Sequence, residues 1–190
     1  MEIPGYYNLA DRGQQLNRQL SDKSIKWTNE ANQKLQLGTA TGYGPRVLAP
    51  LLPVLREVVS DPAQLKLVEQ LAQWPGDYPL DSVSATVFSQ FLYDLADAAM
   101  RDELGNDFFD TLLSTRVIDS ALPRLAANAD SPWWDNRNTP VKETRADVVR
   151  TAWQASMQHL KLTLGDNTAE WKLGAAHTLT HGHPLGQQKP

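Results

Sequence analysis

Apolar residues recur every three or four positions along most of the chain, and this pattern predicts a mainly α-helical fold. The longest such run extends from Ser82 to Leu104, with Asp94, Asp97 and Arg101 on its polar side. Further helices are predicted at Leu9–Leu20, Asn29–Leu37, Pro45–Val59, from Pro62 to the turn at Trp74, and at Phe108–Ser114, Asp119–Ala127 and Glu143–Leu164.

Capping and helix-breaking residues predict where these helices begin and end. Asp61 can accept hydrogen bonds from free backbone N–H groups, and Pro62 suits a first helical position. Gly105 is expected to end the longest helix, because glycine tolerates the left-handed conformation found there. Pro50 and Pro53 predict a kink in their helix, since each removes a backbone donor.

The remaining segments contain little evidence for strands. Only Ala176–Thr180 alternates in character and is predicted to be extended, whereas Ala129–Pro140 is predicted to be a loop held by Trp133 and Trp134. The tryptophans expected to anchor the core are Trp27, Trp74, Trp153 and Trp171. We therefore predict one helical domain or fragment over residues 1–190, with a helical core at about 9–164 and a C-terminal Trp/His motif segment at 166–190.

Composition excludes several classes of protein. The 190 residues contain 41% hydrophobic and 21% charged residues, which is typical of a globular domain rather than a disordered chain. With 18 Lys and Arg against 22 Asp and Glu the formal charge is −4, which argues against a nucleic-acid partner. No apolar run approaches the ~20 residues of a membrane span, and residues 1–20 are too polar for a signal peptide.

The histidines near the end of the chain offer one candidate site. His177, His181 and His183 lie close enough in sequence to share a metal ion, and zinc would be the first choice. No Asp, Glu or Cys lies within that segment, and Gly182 and Pro184 favour a turn that separates the rings. Ordinary hydrogen-bonded or surface histidines are therefore the preferred interpretation, and a metal-dependent hydrolase stays an alternative.

Other catalytic patterns are absent from the sequence. The chain contains no cysteine, so it has no thiol nucleophile, disulfide or thiolate metal site. It contains no Gly-x-Ser-x-Gly elbow, and the glycines at 38, 42 and 44 precede Pro45-Arg46 rather than the Lys-Ser/Thr of a phosphate loop. We do not expect this chain to assemble a complete active site alone.

Several short motifs, in order along the chain, resemble the penicillin acylase (penicillin amidase) family, which includes acyl-homoserine-lactone acylases. The motifs are Tyr7…Arg12-Gly-Gln-Gln15-Leu16, Trp27-Thr28…Leu35-Gln36, Leu48-Ala-Pro-Leu-Leu52, Leu71…Trp74-x-Gly76 and Trp171-x-x-Gly174…His177…His183-Pro184-Leu185-Gly186. Each is weak alone, but the ordered set covers essentially the whole chain.

The resemblance implies an N-terminal nucleophile hydrolase that cleaves linear amides. In this family a self-cleaved precursor exposes a serine whose own α-amine acts as general base. A backbone N–H and an Asn side chain hold the oxyanion while an acyl-enzyme forms. The family also implies a periplasmic location, a structural calcium in the complete enzyme and no further cofactor within this segment.

Aligned with that plan, the chain resembles an internal, helix-rich fragment of the β chain. The nucleophilic serine and the oxyanion Asn are both expected upstream of residue 1, so the isolated fragment is predicted to be inactive. Its expected partners are the rest of the β chain, the α chain and a small acylated amine. A non-catalytic helical interaction module is the alternative.

Arg12 is the one catalytic residue that the resemblance assigns to this chain. It matches the first Arg of the family's Y…R-A-x-R-I motif, which helps to hold the oxyanion Asn and the nucleophile network. A guanidinium suits that supporting role because it is permanently charged and presents a rigid fork of donors. The chain departs from the family pattern at Gln15, Gly38 and Leu173, which puts local salt bridges in doubt.

Overall fold

The computed structural model describes residues 11–179. Eight α-helices occur in that range, at Asp11–Ser21 (α1), Asn29–Leu37 (α2), Tyr43–Val58 (α3), Pro62–Gln73 (α4), Val83–Leu113 (α5), Val117–Ala127 (α6), Arg145–Leu164 (α7) and Leu173–Ala176 (α8). Single 3-10 turns at Pro132–Trp134 and Thr168–Glu170 lie between them. The predicted mainly α-helical fold is confirmed.

The core is formed by α3 to α7, with α5 and α7 packed along each other at its centre. The apolar stripes predicted for these helices point inward, because burial of such a stripe is the main source of helix stability in a protein. The buried side chains from these helices include Leu48, Leu51, Leu55, Val68, Leu71, Phe88, Phe91, Leu95, Leu122, Val149 and Trp153.

Side-chain caps begin several of the helices, including α4 at the predicted residue Asp61. The Asp61 carboxylate accepts a hydrogen bond from the Gln64 N–H, and Ser82 caps α5 in the same way through the Ala85 N–H. Thr144 and Asp147 form a reciprocal capping box at the start of α7. These contacts satisfy backbone donors that have no partner within the helix.

Gly105 interrupts α5 where the sequence predicts a helix end. Its φ is +71° and ψ is 169°, so the predicted helices Ser82–Leu104 and Phe108–Ser114 are consecutive segments separated by this residue. Phe109 lies after the break and is fully buried, because the change of direction turns its side chain back toward the core. By contrast, α3 continues through Pro50 and Pro53 as one element.

Two predictions need correction. Ala176 lies in α8, and no strand occurs at 177–179, because Gly174 and Leu173 donate to Leu80 O and Ser82 O in a turn at the start of α5. Trp27 is 38% exposed and does not anchor the core. Thr180 lies outside the described residues.

The other predicted tryptophan anchors are buried, and each satisfies its indole N–H. Trp74 donates to Asp77 O at 2.8 Å, and Trp171 donates to Gly165 O at 2.8 Å. Trp153 donates to the Gln64 side chain at 2.9 Å and joins α7 to α4. In the 129–140 segment, Trp134 is buried whereas Trp133 is 37% exposed, so of the two predicted tryptophan anchors only Trp134 is confirmed.

None of the helices within residues 11–179 is both long enough and apolar enough to cross a bilayer.

Candidate functional site around Arg12

Arg12 lies in the first turn of α1 and bridges α1 to the end of α2. Its guanidinium donates to the carbonyl of Gly38 and, at 3.4 Å, to that of Gln36. The last carbonyls of a helix lack intrahelical donors, and they carry the negative end of the helix dipole. A permanently charged fork of N–H donors is well matched to that position.

The neighbouring Asp11 connects the same turn to the start of α3. Asp11 is one of three buried polar or charged residues in the described structure, and its Oδ2 accepts from Arg46 Nη2 at 3.0 Å. A carboxylate at this depth is costly to bury unless it is paired. The Asp11–Arg46 pair therefore fixes the position of α1, and with it the backbone of Arg12.

Tyr43 completes this cluster at the first residue of α3. Its ring packs edge-on against Phe88 and lies 5.8 Å beneath the Arg46 guanidinium. Its hydroxyl is buried, and no hydrogen-bond partner for it occurs within residues 11–179. Burial raises the pKa of Tyr43, and the nearby carboxylate of Asp119 raises it further. Tyr43 is therefore neutral at physiological pH.

The loop between α2 and α3 is joined to the turn after α4. The Thr41 N–H donates to Gly76 O at 2.9 Å, and the Tyr78 N–H donates to Thr39 Oγ1 at 3.0 Å. Gly76 has a φ of +84°, and a Cβ there would overlap Thr41 O. Glycine is required at this close approach. The motif Leu71…Trp74-x-Gly76 thus secures the loop that follows Gly38.

Burial also affects Tyr78 in this turn. It raises the pKa of the Tyr78 hydroxyl to about 12. Its ring packs edge-on against Trp74 at a centroid distance of 5.3 Å. Like Tyr43, this phenol stays protonated near neutral pH and can donate a hydrogen bond but not act as a base.

His177 lies away from Arg12, at the end of α8. It is exposed and lines a cavity of about 340 Å³ together with His159, Ser89 and Thr163. Within residues 11–179, no three histidine or carboxylate side chains come together as a potential metal site. His181 and His183 lie outside the described residues, so the metal alternative stays a prediction.

Within the described residues, the C-terminal motif has a structural role. Trp171 is buried beside the end of α7, and Gly174 N–H donates to Leu80 O at 2.7 Å. A Cβ on Gly174 would lie 3.2 Å from that same carbonyl. Trp171 and Gly174 therefore hold the segment after α7 against the start of α5.

The sequence motif points to Arg12 but gives no signal for the cluster of Asp11, Arg46 and Tyr43 that begins at the preceding residue. Asp11 and Arg46 are 35 positions apart, and no local spacing reveals their ion pair. Tyr43 adjoins glycines that favour a loop rather than a helix start, so its burial cannot be read from the sequence. The only available signal is the position of Asp11 directly before a motif arginine.

A comparison with protein-family models matches residues 2–190 to the penicillin amidase family. Among curated proteins, the chain is 26% identical over 117 residues to the acyl-homoserine lactone acylase QuiP of Pseudomonas aeruginosa, covering 58% of this chain and 14% of that protein. It is 24% identical over 192 aligned residues to QuiP of Pseudomonas fluorescens, covering 95% of this chain and 23% of that protein.

The chain thus spans less than a quarter of the length of these relatives. No solved structure matches it. The family match covers nearly every residue and agrees with the ordered motifs whose buried members, Trp74 and Trp171, hold the turns beside the helices. This chain belongs to the penicillin amidase family.

Proposed function

We propose that this chain is the helix-rich part of the β chain of an amide-cleaving acylase that uses an N-terminal serine nucleophile. The serine hydroxyl would attack the amide carbonyl and form an acyl-enzyme, from which water releases the carboxylic acid. The family match over residues 2–190 carries this proposal, and the curated acylases provide the reaction class.

Arg12 would support the active centre without touching the reacting bond. Arg12 is exposed, and its contacts to Gly38 and Gln36 hold its guanidinium at the end of α2. A guanidinium has more N–H donors than these carbonyls use, so it can also donate to a neighbouring oxyanion-binding side chain. The Asp11–Arg46 pair, in which the carboxylate is largely buried, would restrain the helix turn that carries Arg12.

The proposed substrate is a small acylated amine, of which N-acyl homoserine lactones and penicillin-type side chains are the candidates. The curated relatives are named for the former, which makes it the first to test. A periplasmic enzyme with a structural calcium ion is proposed by family resemblance. Within residues 11–179, no three carboxylate or histidine side chains come together as a potential metal site.

The other proposed partners are the remaining β-chain polypeptide and the α chain. The matched relatives are more than four times as long as the aligned segment, which supports this arrangement. Without those parts the chain would lack the nucleophile and the oxyanion Asn, so we expect it to be inactive alone.

Intact mass and N-terminal sequencing of the native gene product test the proposal. We expect a self-cleaved product whose new N-terminus is a serine upstream of the present residue 1, and acylase activity in the same preparation. A gene product without such a junction would favour the non-catalytic interaction module instead. Stoichiometric zinc that is lost on His177→Ala would favour the metal-dependent hydrolase.

A further inference from the structure

The N-terminal arm, residues 11–42, lies outside the core formed by α3 to α7. Residues 12–41 include no buried side chain, and α2 has none along its whole length. Neither α1 nor α2 packs extensively against another helix. Short helices in water are marginal without tertiary packing, so these two need a surface to pack against.

Six of the eight apolar side chains of the arm, all except Leu16 and Leu20, line one groove. Ile25, Trp27, Ala31, Leu35, Leu37 and Ala40 contribute to it, and its volume is about 790 Å³. Trp27 is 38% and Leu37 80% exposed. Single exposed apolar residues are normal on a protein surface, whereas a contiguous apolar patch marks an interaction site.

The groove is already formed in the isolated chain. Arg12 holds the end of α2 through Gly38, and Thr41 bonds to the rigid turn at Gly76. These contacts fix one wall of the groove relative to the core. A preformed groove loses less conformational entropy on binding than a flexible one, which favours docking of a complementary surface.

The net charge of the arm indicates which kind of partner would bind in the groove. Residues 11–38 carry five cations and three carboxylates, a net charge of +2 in a chain of net charge −4; the cations are Arg12, Arg18, Lys23, Lys26 and Lys34. The Asp11 carboxylate is taken up by Arg46. Lys34 and Asp77 both line the groove, so the excess of positive charge lies on the side that the arm contributes. An apolar segment with acidic flanks matches this surface.

We infer that the groove of the N-terminal arm docks an apolar, acidic-flanked segment of the same acylase polypeptide from outside residues 1–190. This inference rests on the proposed function. We infer this occupant from the length of the curated relatives, because the matched region makes up only 12–23% of them. Most of the polypeptide able to cover the groove therefore lies outside this segment.

A photo-crosslinker in the full-length gene product tests the docking site. Benzoyl-phenylalanine at Leu37 is expected to crosslink to peptides outside residues 1–190, as identified by mass spectrometry. Leu162 is the matched control, because it is 77% exposed on α7 and does not line the groove. Crosslinks from position 37 that fall only within residues 1–190, or on a second copy, would overturn the inference, as would the absence of crosslinks.

A charge reversal tests the acidic flank. We expect Lys34→Glu to lower the crosslink yield from position 37 at least about threefold, since like charges at an interface rim oppose association. Lys66→Glu, at an exposed position of α4, is the control and is expected to leave the yield unchanged. An unchanged yield in Lys34→Glu would overturn the acidic partner.

Acylase activity separates this inference from the proposed function. An active, self-cleaved enzyme that gives no crosslink from position 37 overturns the docking site and leaves the proposed function standing. A full-length product with the expected crosslink but no hydrolysis of any acylated amine overturns the proposed function, and the docking site then stands as a feature of a non-catalytic protein.

Discussion

Asp11 and Arg46 form an ion pair that ties the first residue of the N-terminal arm to the first helix of the core. The Oδ2–Nη2 distance is 3.0 Å, and the side chains are 11% and 44% exposed respectively. The carboxylate is thus largely desolvated, whereas the guanidinium keeps part of its hydration. The ion pair therefore positions α1, and Arg12 is the next residue along that helix.

Removing Arg46 should therefore loosen the arm. We expect Arg46→Ala to lower the free energy of unfolding by about 1–3 kcal/mol, because it leaves the Asp11 carboxylate buried without its partner. Arg56→Ala is the control, since the Arg56–Glu69 pair is exposed and contributes less. Chemical denaturation of the 190-residue chain measures both. Equal effects for the two variants would contradict a special role for Asp11–Arg46.

Arg12→Ala in the full enzyme should reduce turnover more than stability. We expect kcat/KM to fall at least about tenfold, which corresponds to roughly 1.4 kcal/mol of transition-state stabilisation, while the unfolding transition moves little. Arg12→Lys should recover only part of the activity, because an ammonium lacks the planar fork of donors. Lys23→Ala, in the exposed loop after α1, serves as control. Unchanged kinetics in Arg12→Ala would remove Arg12 from the site.

Gly76 provides a test of the connection between the arm and the core. Gly76→Ala should destabilise the protein by roughly 2–4 kcal/mol, because a left-handed backbone is strained for alanine and its Cβ would overlap Thr41 O. Gly13→Ala is the matched control, since Gly13 lies within α1 and a Cβ there would meet no atom within 4 Å. That change should stabilise α1 slightly. Thermal unfolding would show opposite shifts for the two variants.

The capping box of α7 predicts a pH dependence. Hydrogen bonds from Thr144 lower the pKa of Asp147 below its ordinary value of 3.8, and Arg150 lowers it further. The folded state therefore binds this proton less tightly than the unfolded state. The resulting stabilisation is present above pH 3.8 and is lost as the pH falls through the lower folded-state pKa.

Asp147→Asn removes that contribution. Its cost in the free energy of unfolding should be largest near neutral pH and should shrink as the pH falls below 3.8. Denaturation at several pH values measures the difference from the unsubstituted protein. Asp130→Asn, in the exposed loop after α6, is the control. A difference that stays constant with pH would contradict the role of the Asp147 carboxylate.

Helix periodicity and capping residues predicted most of the core, because those signals act within a few residues of one another. Ser82 precedes the first residue of α5 and Gly105 interrupts that helix, both as expected from local backbone preferences. The prediction for Trp27 was wrong because it rested on the position of Trp27 beside the start of α2, and proximity to a helix end does not decide whether a side chain is buried. Burial of Trp27 would require another part of the fold to pack against it, and the local sequence does not show whether such a surface exists.

The candidate site likewise combines a residue that the sequence predicts with contacts that it does not predict. Arg12 could be found from a family motif, whereas Asp11–Arg46 and the contact from Arg12 to Gly38 join positions far apart in sequence. The extended segment predicted at Ala176–Thr180 was wrong at Ala176 because hydrogen bonds to Leu80 and Ser82, distant in sequence, favour a turn and a short helix. Each of these structural features depends on contacts between residues that are far apart in the sequence.

We propose that this chain contributes a scaffold and a supporting guanidinium to an acylase but neither the attacking hydroxyl nor the oxyanion amide. The most direct measurement is the release of homoserine lactone from an N-acyl homoserine lactone by the purified 190-residue chain and, in parallel, by the full-length gene product. We expect turnover by the full-length product alone. Hydrolysis by the 190-residue chain, at a rate that scales with its concentration and survives repurification, would contradict this proposal.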